Sequence, residues 1–476
     1  LPEQEIVARA YKYAGDVYKA ARDYNKGLRA LQKALEIYER LGNRVELSHT
    51  YNNIGNIYWV GSKIDLALEN YRKALKIQVD LNLLKERAST LNNIGSCYIY
   101  KNQLDKTIDY YKQSIEIKKQ INDRPELART YNNLGAVYQE LGDIPQALVY
   151  LYDSLKINRE IDSKREMLFN LDNIGNCEIS LGHFQKVEAL ASEGLAIARE
   201  LEALPTQALF LRHLGLIHTE TGNLQRADLF LHQAREIVDH ISDHLLEFEI
   251  YRNFMRLYLN LNAAEQYWIA YEKAARIANS GVDSKLTLGL LLLKIEGLIH
   301  ISGDYEPAGI LIKEAEKMLA DVKSDNLACQ LLMNQVARAI ETGKRPDVEM
   351  EYASMLTAKP LNQTMKPQFL YLQGRLAISD GLYDRGRDLL SEASNLAETQ
   401  NRRNLLWKIK YCQGKIERTL LNYEEAYVNF KKAVTILKSI AETIKRKDYL
   451  QAFLKHPMAV LLKKEIMELA ERMGQK

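Results

Sequence analysis

An all-α solenoid of antiparallel helix pairs is the fold that the sequence predicts, on three observations. The segment YNNIGNIY at 51–58 recurs as LNNIGSCY at 91–98, YNNLGAVY at 131–138 and LDNIGNCE at 171–178, each 40 residues after the last. Every period holds two stretches with apolar residues at helical spacing, and a short polar turn separates them. A fixed internal period of this length indicates one stacked array rather than several globular domains.

The two helices of a repeat are clearest in the fourth period. In ELARTYNNLGAVYQEL, residues Leu127, Tyr131 and Leu134 fall on one helical face, and Asp123 just before them is a helix-start signal. Gly142 then breaks the pattern, and IPQALVYLYDSLKINREI repeats it. Because the turn is short, the two helices are expected to form an antiparallel hairpin.

A glycine holds the same position in the first helix of six successive periods. A glycine inside a helix costs about 1 kcal/mol of helix propensity relative to alanine. Its recurrence therefore indicates close approach of the two helices of a pair, and we expect small residues on the partner helix opposite it. The six are Gly15, Gly55, Gly95, Gly135, Gly175 and Gly215.

This pattern resembles the tetratricopeptide repeat, in which a large residue, Leu-Gly and Tyr on the first helix face Ala, an aromatic residue and Ala on the second. The second period matches it at Tyr51, Ile54, Gly55, Tyr58, Ala67, Tyr71 and Ala74. The resemblance implies a right-handed superhelical solenoid. The long period is similar to that of Pins-type adaptors, kinesin light chain, Rap-type regulators and bacterial signalling proteins.

The regularity of the repeats predicts the domain organisation. Residues 1–281 hold seven regular repeats, and residues 282–366 hold two degenerate ones, in the first of which Gly297 is out of phase. The pattern returns in two further repeats at 367–440, with Gly374 and Gly414 again 40 residues apart. Residues 441–476 are predicted to be helices that cap the end of the stack.

Polar residues two and three positions before the glycines are the candidate binding site. An amide both donates and accepts, so one per repeat can hold the backbone of an extended peptide of any sequence. In the family that the repeats resemble, these positions line a concave groove, and similar asparagines bind a partner peptide. The candidates in this column are Asn52, Asn53, Asn92, Asn93, Asn132, Asn133, Asn173, Arg212 and Asn253.

Four further residues on the same face are predicted to add side-chain selectivity: Asn56, Trp59, Arg129 and Asn176. Two alternatives stay open at this point. The asparagines can instead bond to a neighbouring helix or to water, and Trp59 can simply pack against the next repeat.

Composition and charge argue against a nucleic-acid partner and against a membrane span. The net charge is only +3, from 65 basic and 62 acidic residues, which argues against a nucleic-acid partner. The longest apolar stretch, LTLGLLLLKIEGLI, is broken by Lys294 and Glu296, so no membrane span is predicted. Four cysteines without a CxxC pair are expected to be core residues in a reducing compartment. Since the sequence starts at LPEQEIVARA without methionine, we expect it to be a fragment of a longer protein or a processed product.

The sequence predicts no enzyme and no cofactor. It has no phosphate-binding glycine loop and no GxSxG motif, and His240 and His244 at a repeat junction lack the glutamate of HExxH. The predicted function is a cytoplasmic protein–protein interaction scaffold that binds a peptide or protein segment in its groove. The alternative is a regulatory switch of the Rap type, whose array a peptide reshapes.

Overall fold

A computed structural model describes residues 2–241, 243–279, 284–322, 324–344, 359 and 362–473. These residues form 23 α-helices and no strand, which confirms the all-α solenoid of helix pairs. The chain divides into two compact units, residues 1–170 (unit 1) and 171–476 (unit 2). In the described residues no helix is long and apolar enough to cross a membrane.

Unit 1 consists of four helix pairs and the start of a ninth helix. Each pair spans one period of the sequence, so the 40-residue repeat is one helical hairpin. The helices are α1 (Pro2–Ala20), α2 (Tyr24–Leu41), α3 (Arg44–Val60), α4 (Ile64–Asp80), α5 (Leu84–Tyr100), α6 (Leu104–Gln120), α7 (Arg124–Glu140), α8 (Ile144–Glu160) and α9 (Lys164–Leu181).

Unit 2 continues the alternation of first and second helices. Its helices are α10 (Phe184–Glu200), α11 (Leu204–Thr221), α12 (Leu224–Val238), α13 (His244–Leu261), α14 (Ala264–Asn279), α15 (Ser284–Gly297), α16 (Tyr305–Val322), α17 (Asp325–Thr342), α18 (Lys366–Ser379), α19 (Tyr383–Thr399), α20 (Arg403–Thr419), α21 (Tyr423–Ala441), α22 (Lys447–Leu454) and α23 (Pro457–Arg472). A π-helical turn, Leu298–Ser302, follows α15. The second helix expected for the ninth repeat falls on 345–358, outside the described residues.

Helix ends follow the turn chemistry of the sequence. The side chains of Asp123 and Asp143 accept hydrogen bonds from the backbone N–H groups of Glu126 and Gln146, and so cap α7 and α8. Gly142 in the turn between these helices has φ 81°, a left-handed conformation that glycine adopts without steric cost. The hairpin predicted for the fourth period is therefore present with its expected turn.

The recurrent glycines lie under large side chains of the second helix. A Cβ atom on Gly55 would be 2.5 Å from Cε1 of Tyr71, and one on Gly135 would be 2.6 Å from Cγ of Leu151. The predicted close contact is confirmed. The small residues of the second helix approach the glycine through their backbone, since the oxygen of Ala147 would be 3.1 Å from a Cβ atom on Gly135, and the large side chain one turn further along also lies over it.

First helices form the inner layer of each unit. Within unit 1, α1 contacts α3 and α3 contacts α5, and within unit 2, α11 contacts α13 and α18 contacts α20. The second helices of neighbouring repeats contact one another less, so they lie on the wider, convex side. The free surface of the first helices is here called the inner face, and the candidate residues belong to these helices, although two of them, Arg212 and Asn253, are buried.

Unit 2 also folds back on itself. The backbone N–H of Thr364 donates to the oxygen of Ser180 at 3.0 Å, and the Asn404 side chain donates to the oxygen of Thr219 at 2.7 Å. Arg402 pairs with Glu220 at 2.5 Å, and both side chains are about nine-tenths buried. These contacts join residues more than 180 positions apart, so this part of the array is held at a fixed curvature.

All four cysteines are buried and free, as the sequence predicts for core residues. Burial raises the pKa of the Cys97, Cys177 and Cys329 thiols to about 12. These groups stay protonated at neutral pH and act as small apolar side chains.

Candidate functional site

The asparagines three positions before each glycine join neighbouring repeats in unit 1. The Oδ1 atom of Asn52 accepts a hydrogen bond from the Thr90 hydroxyl at 3.2 Å, and that of Asn92 accepts from the Thr130 hydroxyl at 3.3 Å. Asn132 Oδ1 accepts from Asn170 Nδ2 at 2.9 Å. The same contact thus recurs at three successive joints, and the oxygen of each amide is used by the fold.

The nitrogens of two of these amides are not used in this way. Asn52 Nδ2 and Asn92 Nδ2 donate to no atom of the described residues, and both side chains are half-buried on the inner face. An amide whose oxygen is fixed by a neighbour holds its nitrogen in a fixed direction. Asn52 and Asn92 therefore present oriented donors, one per repeat.

The asparagines two positions before each glycine differ from one another. Asn53 Nδ2 lies 3.3 Å from the Asp16 carboxylate, and Asn93 Nδ2 lies 3.3 Å from Asn52 Oδ1. Asn133, in contrast, forms no hydrogen bond with any described residue and is half-buried. It is the member of the column in unit 1 whose whole amide is available.

The selectivity candidates of unit 1 fall into two groups. Asn56 accepts a hydrogen bond from the Tyr71 hydroxyl at 2.7 Å, and Arg129 is exposed and paired with Glu126 at 2.7 Å. The Trp59 ring meets Tyr100 edge to face, with centroids 5.9 Å apart. Its indole N–H is buried without an acceptor in the described part of the chain, so only the ring is accessible to a ligand.

The candidates in unit 2 are more deeply placed. Asn173 and Asn176 are half-buried, and Asn176 donates to Asp172 at 3.3 Å. Arg212 is buried between the His213 ring, at 2.6 Å, and Glu249, at 3.8 Å. Asn253 is 2% exposed, and its Nδ2 atom has no partner in the described residues. Arg212 and Asn253 therefore lie below the surface that a ligand would contact.

Sequence reasoning missed the partners that fix the asparagines. They lie five positions before the next glycine and are all buried: Thr90, Thr130 and Asn170, with Thr50 buried at the same position of the repeat before them. Their 40-residue spacing was visible in the sequence, and buried polar residues at a fixed period indicate a repeated hydrogen bond. That signal would have shown that the oxygen of each amide bonds to the next repeat and belongs to the fold.

Comparison with known proteins identifies the repeats. Residues 6–78, 86–160 and 126–200 match the model of the tetratricopeptide repeat. The matched segments, all within residues 6–200, are tetratricopeptide repeats. Repeats of this family are typically non-catalytic protein-interaction modules.

Among solved structures, the chain is similar to BtubC (BKLC) from P. vanneervenii, with 16% identity, a TM-score of 0.43, and coverage of 46% of this chain and 92% of that one. It is similar to the apo form of RapI, with 17% identity, a TM-score of 0.46, and coverage of 58% and 99%. It is also similar to aspartyl phosphate phosphatase F from Bacillus subtilis, with 12% identity and a TM-score of 0.48. The match covers 58% of this chain and 71% of that one. No curated protein matches the sequence. These similarities are too low to argue function, which rests on the residues themselves.

Proposed function

We propose that this tetratricopeptide repeat chain is a non-catalytic scaffold that binds an extended protein segment along the inner face of unit 1. The observation that supports this proposal is the row of unused amide groups: the nitrogens of Asn52 and Asn92 and the whole side chain of Asn133. They recur with the repeat, which suits the regularly spaced polar groups of a peptide backbone. The setting is a cytoplasmic signalling protein of bacterial type.

The free atoms define what the ligand must offer. Two oriented N–H donors call for carbonyl acceptors on the ligand, whereas Asn133 pairs with either half of a peptide unit. Each such hydrogen bond contributes about 1 kcal/mol, so affinity accumulates over the repeats instead of residing in one pocket. The exposed Arg129 guanidinium and the Trp59 ring supply selectivity for ligand side chains.

The test uses substitutions that remove a free amide group but keep the hydrogen bonds of the fold, so that an effect on binding is not caused by an effect on folding. Asn92→Asp keeps the oxygen that accepts from Thr130 but removes the free N–H donor. Asn133→Ala removes an amide that bonds to no described residue. Gln113→Ala, on the exposed surface of the outer helix α6, is the matched control.

Peptides are selected from a random displayed library against the whole chain, and their affinities are measured by fluorescence anisotropy. Asn133→Ala is expected to weaken binding about fivefold, and the double variant with Asn92→Asp about twentyfold, at unchanged melting temperature. The Gln113→Ala chain should bind as the parent does. Selected peptides that bind the double variant with parental affinity would overturn the proposal, as would a selection that yields no binder.

A further inference from the structure

A contiguous cluster of polar and aromatic side chains lies in unit 2 around the buried rings of Tyr371 and Trp407. The Tyr371 hydroxyl contacts Met458 Sδ at 3.6 Å, and the Met458 backbone N–H donates to His456 Nδ1 at 3.2 Å. The His456 ring meets the Trp407 ring edge to face at 5.5 Å, and Lys408 Nζ lies 5.8 Å from the centre of that indole. Helices α18, α20 and α23 thus meet around these residues.

Of the two cations of this cluster, Arg375 has a carboxylate partner and Lys408 has none among the described residues. The Arg375 guanidinium lies 5.8 Å from the Tyr371 ring and donates to Glu341 at 2.8 Å. Lys408 forms no ion pair with any carboxylate of the described residues. Both cations are half-buried, so part of each reaches solvent on the inner face. The positive charge of Lys408 is left without a direct counterion.

Two neutral imidazoles complete the cluster. The pKa of His300 is lowered to about 3 by desolvation and then by the charges of Lys408 and Arg375. The pKa of His456 is lowered to about 3 by desolvation, Lys408, His300 and Arg375. The His300 side chain is nevertheless exposed to solvent. Each neutral imidazole can donate one N–H to a ligand.

The positive charge of Lys408 and Arg375 makes the cluster a suitable place for an anion. Desolvation and the nearby Arg375 charge lower the pKa of Lys408 to about 8, which shows that the ammonium lacks stabilisation where it stands. Glu296 is the carboxylate that acts on Lys408 in the opposite direction, and desolvation raises its own pKa. A bound negative charge would stabilise the ammonium ion and both imidazoles in their protonated forms.

We propose that Lys408, Arg375, His300 and His456 form an anion site on the inner face of unit 2, and that its ligand is a carboxylate of an acidic peptide segment. A single negative charge matches the one unpaired ammonium, whereas a phosphate dianion would lie near both Glu341 and Glu296. The site goes beyond the asparagine row, since it uses other helices and another unit.

The probe is a fluorescein-labelled decapeptide of alternating glutamate and alanine, and the matched probe carries glutamine in place of glutamate. Lys408→Met and Arg375→Met keep the side-chain stem and remove the charge. Each is expected to weaken binding of the acidic peptide to the whole chain about tenfold. Lys410→Met is the control, because Lys410 lies on the same helix but pairs with Glu398 at 3.1 Å.

Glu296→Gln is expected to change the affinity for the acidic peptide in the opposite direction. Removing the neighbouring negative charge is expected to tighten binding about threefold, a result that a purely structural role of these residues would not produce. A further readout is NMR of the chain with labelled histidine, assigned with His300→Gln and His456→Gln. The acidic peptide is expected to raise the pKa of both imidazoles. This readout needs no charge-removing variant, so it stands even where one of them fails to fold.

Three results would overturn the proposal: equal binding of the glutamine peptide, parental affinity in the Lys408→Met chain, or displacement of the acidic peptide by equimolar inorganic phosphate. A histidine pKa that does not move on addition of the acidic peptide would do so as well. Asn92→Asp with Asn133→Ala is expected to leave acidic-peptide binding unchanged. Failure of this proposal is therefore distinguishable from failure of the proposed peptide row.

Discussion

The Cγ atom of Leu151 lies directly over Gly135, so that a Cβ atom on this glycine would be 2.6 Å away from it. The backbone oxygen of Ala147 would be only 3.1 Å from the same Cβ. At Gly175 the contact is much looser, since the nearest atom, His213 Nδ1, would be 3.7 Å away. Two glycines at one position of the repeat therefore tolerate a methyl group differently.

Gly135→Ala and Gly175→Ala are expected to change stability in opposite directions. Overpacking against Leu151 should lower the free energy of unfolding by about 1–3 kcal/mol. At Gly175 the methyl group fits, and the better helix propensity of alanine should raise the free energy of unfolding by up to about 1 kcal/mol. Urea unfolding of the whole chain checks both. Changes of the same sign would mean that helix contact does not explain the recurrent glycine.

Lys118 is a buried cation whose removal should cost little if its shape is kept. Its side chain is 2% exposed, its Nζ donates to the Thr130 hydroxyl at 2.6 Å, and it pairs with Glu126 at 3.5 Å. Desolvation lowers the pKa of Lys118, so the ammonium is unfavourable where it lies. Lys118→Met should be neutral or stabilising, whereas Lys118→Ala should cost about 2 kcal/mol or more through the cavity. Equal losses measured by urea unfolding would contradict this account.

The Glu220–Arg402 pair is expected to hold the closing contact of unit 2. The charges of Arg402 and Arg256 lower the pKa of Glu220 against the effect of its burial. Arg402→Met leaves a buried carboxylate with only the more distant Arg256 and should cost about 3 kcal/mol. Hydrogen exchange at residues 362–366 should accelerate. The matched control, Arg124→Met at an exposed pair with Glu160, should change stability by less than about 1 kcal/mol.

Acidification is expected to destabilise unit 2 through His213. Burial and the adjacent Arg212 charge hold the pKa of His213 well below 6.5, so the imidazole is neutral in the fold but protonates in the unfolded chain. The unfolded state therefore binds more protons below about pH 6.5, and stability falls there by up to about 1.4 kcal/mol per pH unit. The Asp172 carboxylate, 3.6 Å away, limits the effect.

His213→Gln should reduce the slope of this dependence between pH 6.5 and 5, as measured by urea unfolding at each pH, while His300 and His456, whose pKa values are also lowered, maintain the remainder. His244→Gln, at an exposed histidine, serves as the control. A slope that is the same in the His213→Gln chain and in the parent would remove His213 as its cause.

The sequence predicted the fold because one pattern repeats through it. Six glycines at one phase were enough to place the helix pairs, but they did not reveal that the large side chains of Leu151 and Tyr71 lie over two of them. Gly297 is out of phase with the other glycines in the sequence, and the structure has a π-helical turn, Leu298–Ser302, directly after it. Such a turn accommodates an extra residue in a helix, which no helical periodicity predicts.

The candidate site was predictable only in part. The asparagine column lies on the inner face, but its role as a peptide-binding row stays a prediction, because the oxygens of Asn52, Asn92 and Asn132 bond to the next repeat. The joint between Glu220 and Arg402 had no signal in the sequence. Its partners are too far apart for any local pattern, and only the curvature of the helices brings them together.

The two kinds of joint have different consequences for how such a chain can evolve. The contact of Asn52 with Thr90 recurs in Asn92 with Thr130, so duplicating or deleting one whole 40-residue segment of unit 1 would recreate the same junction. The contact of Glu220 with Arg402 is satisfied at one spacing alone. Unit 1 is thus free to vary in length by whole segments, whereas the stretch from Glu220 to Arg402 admits no gain or loss of a hairpin.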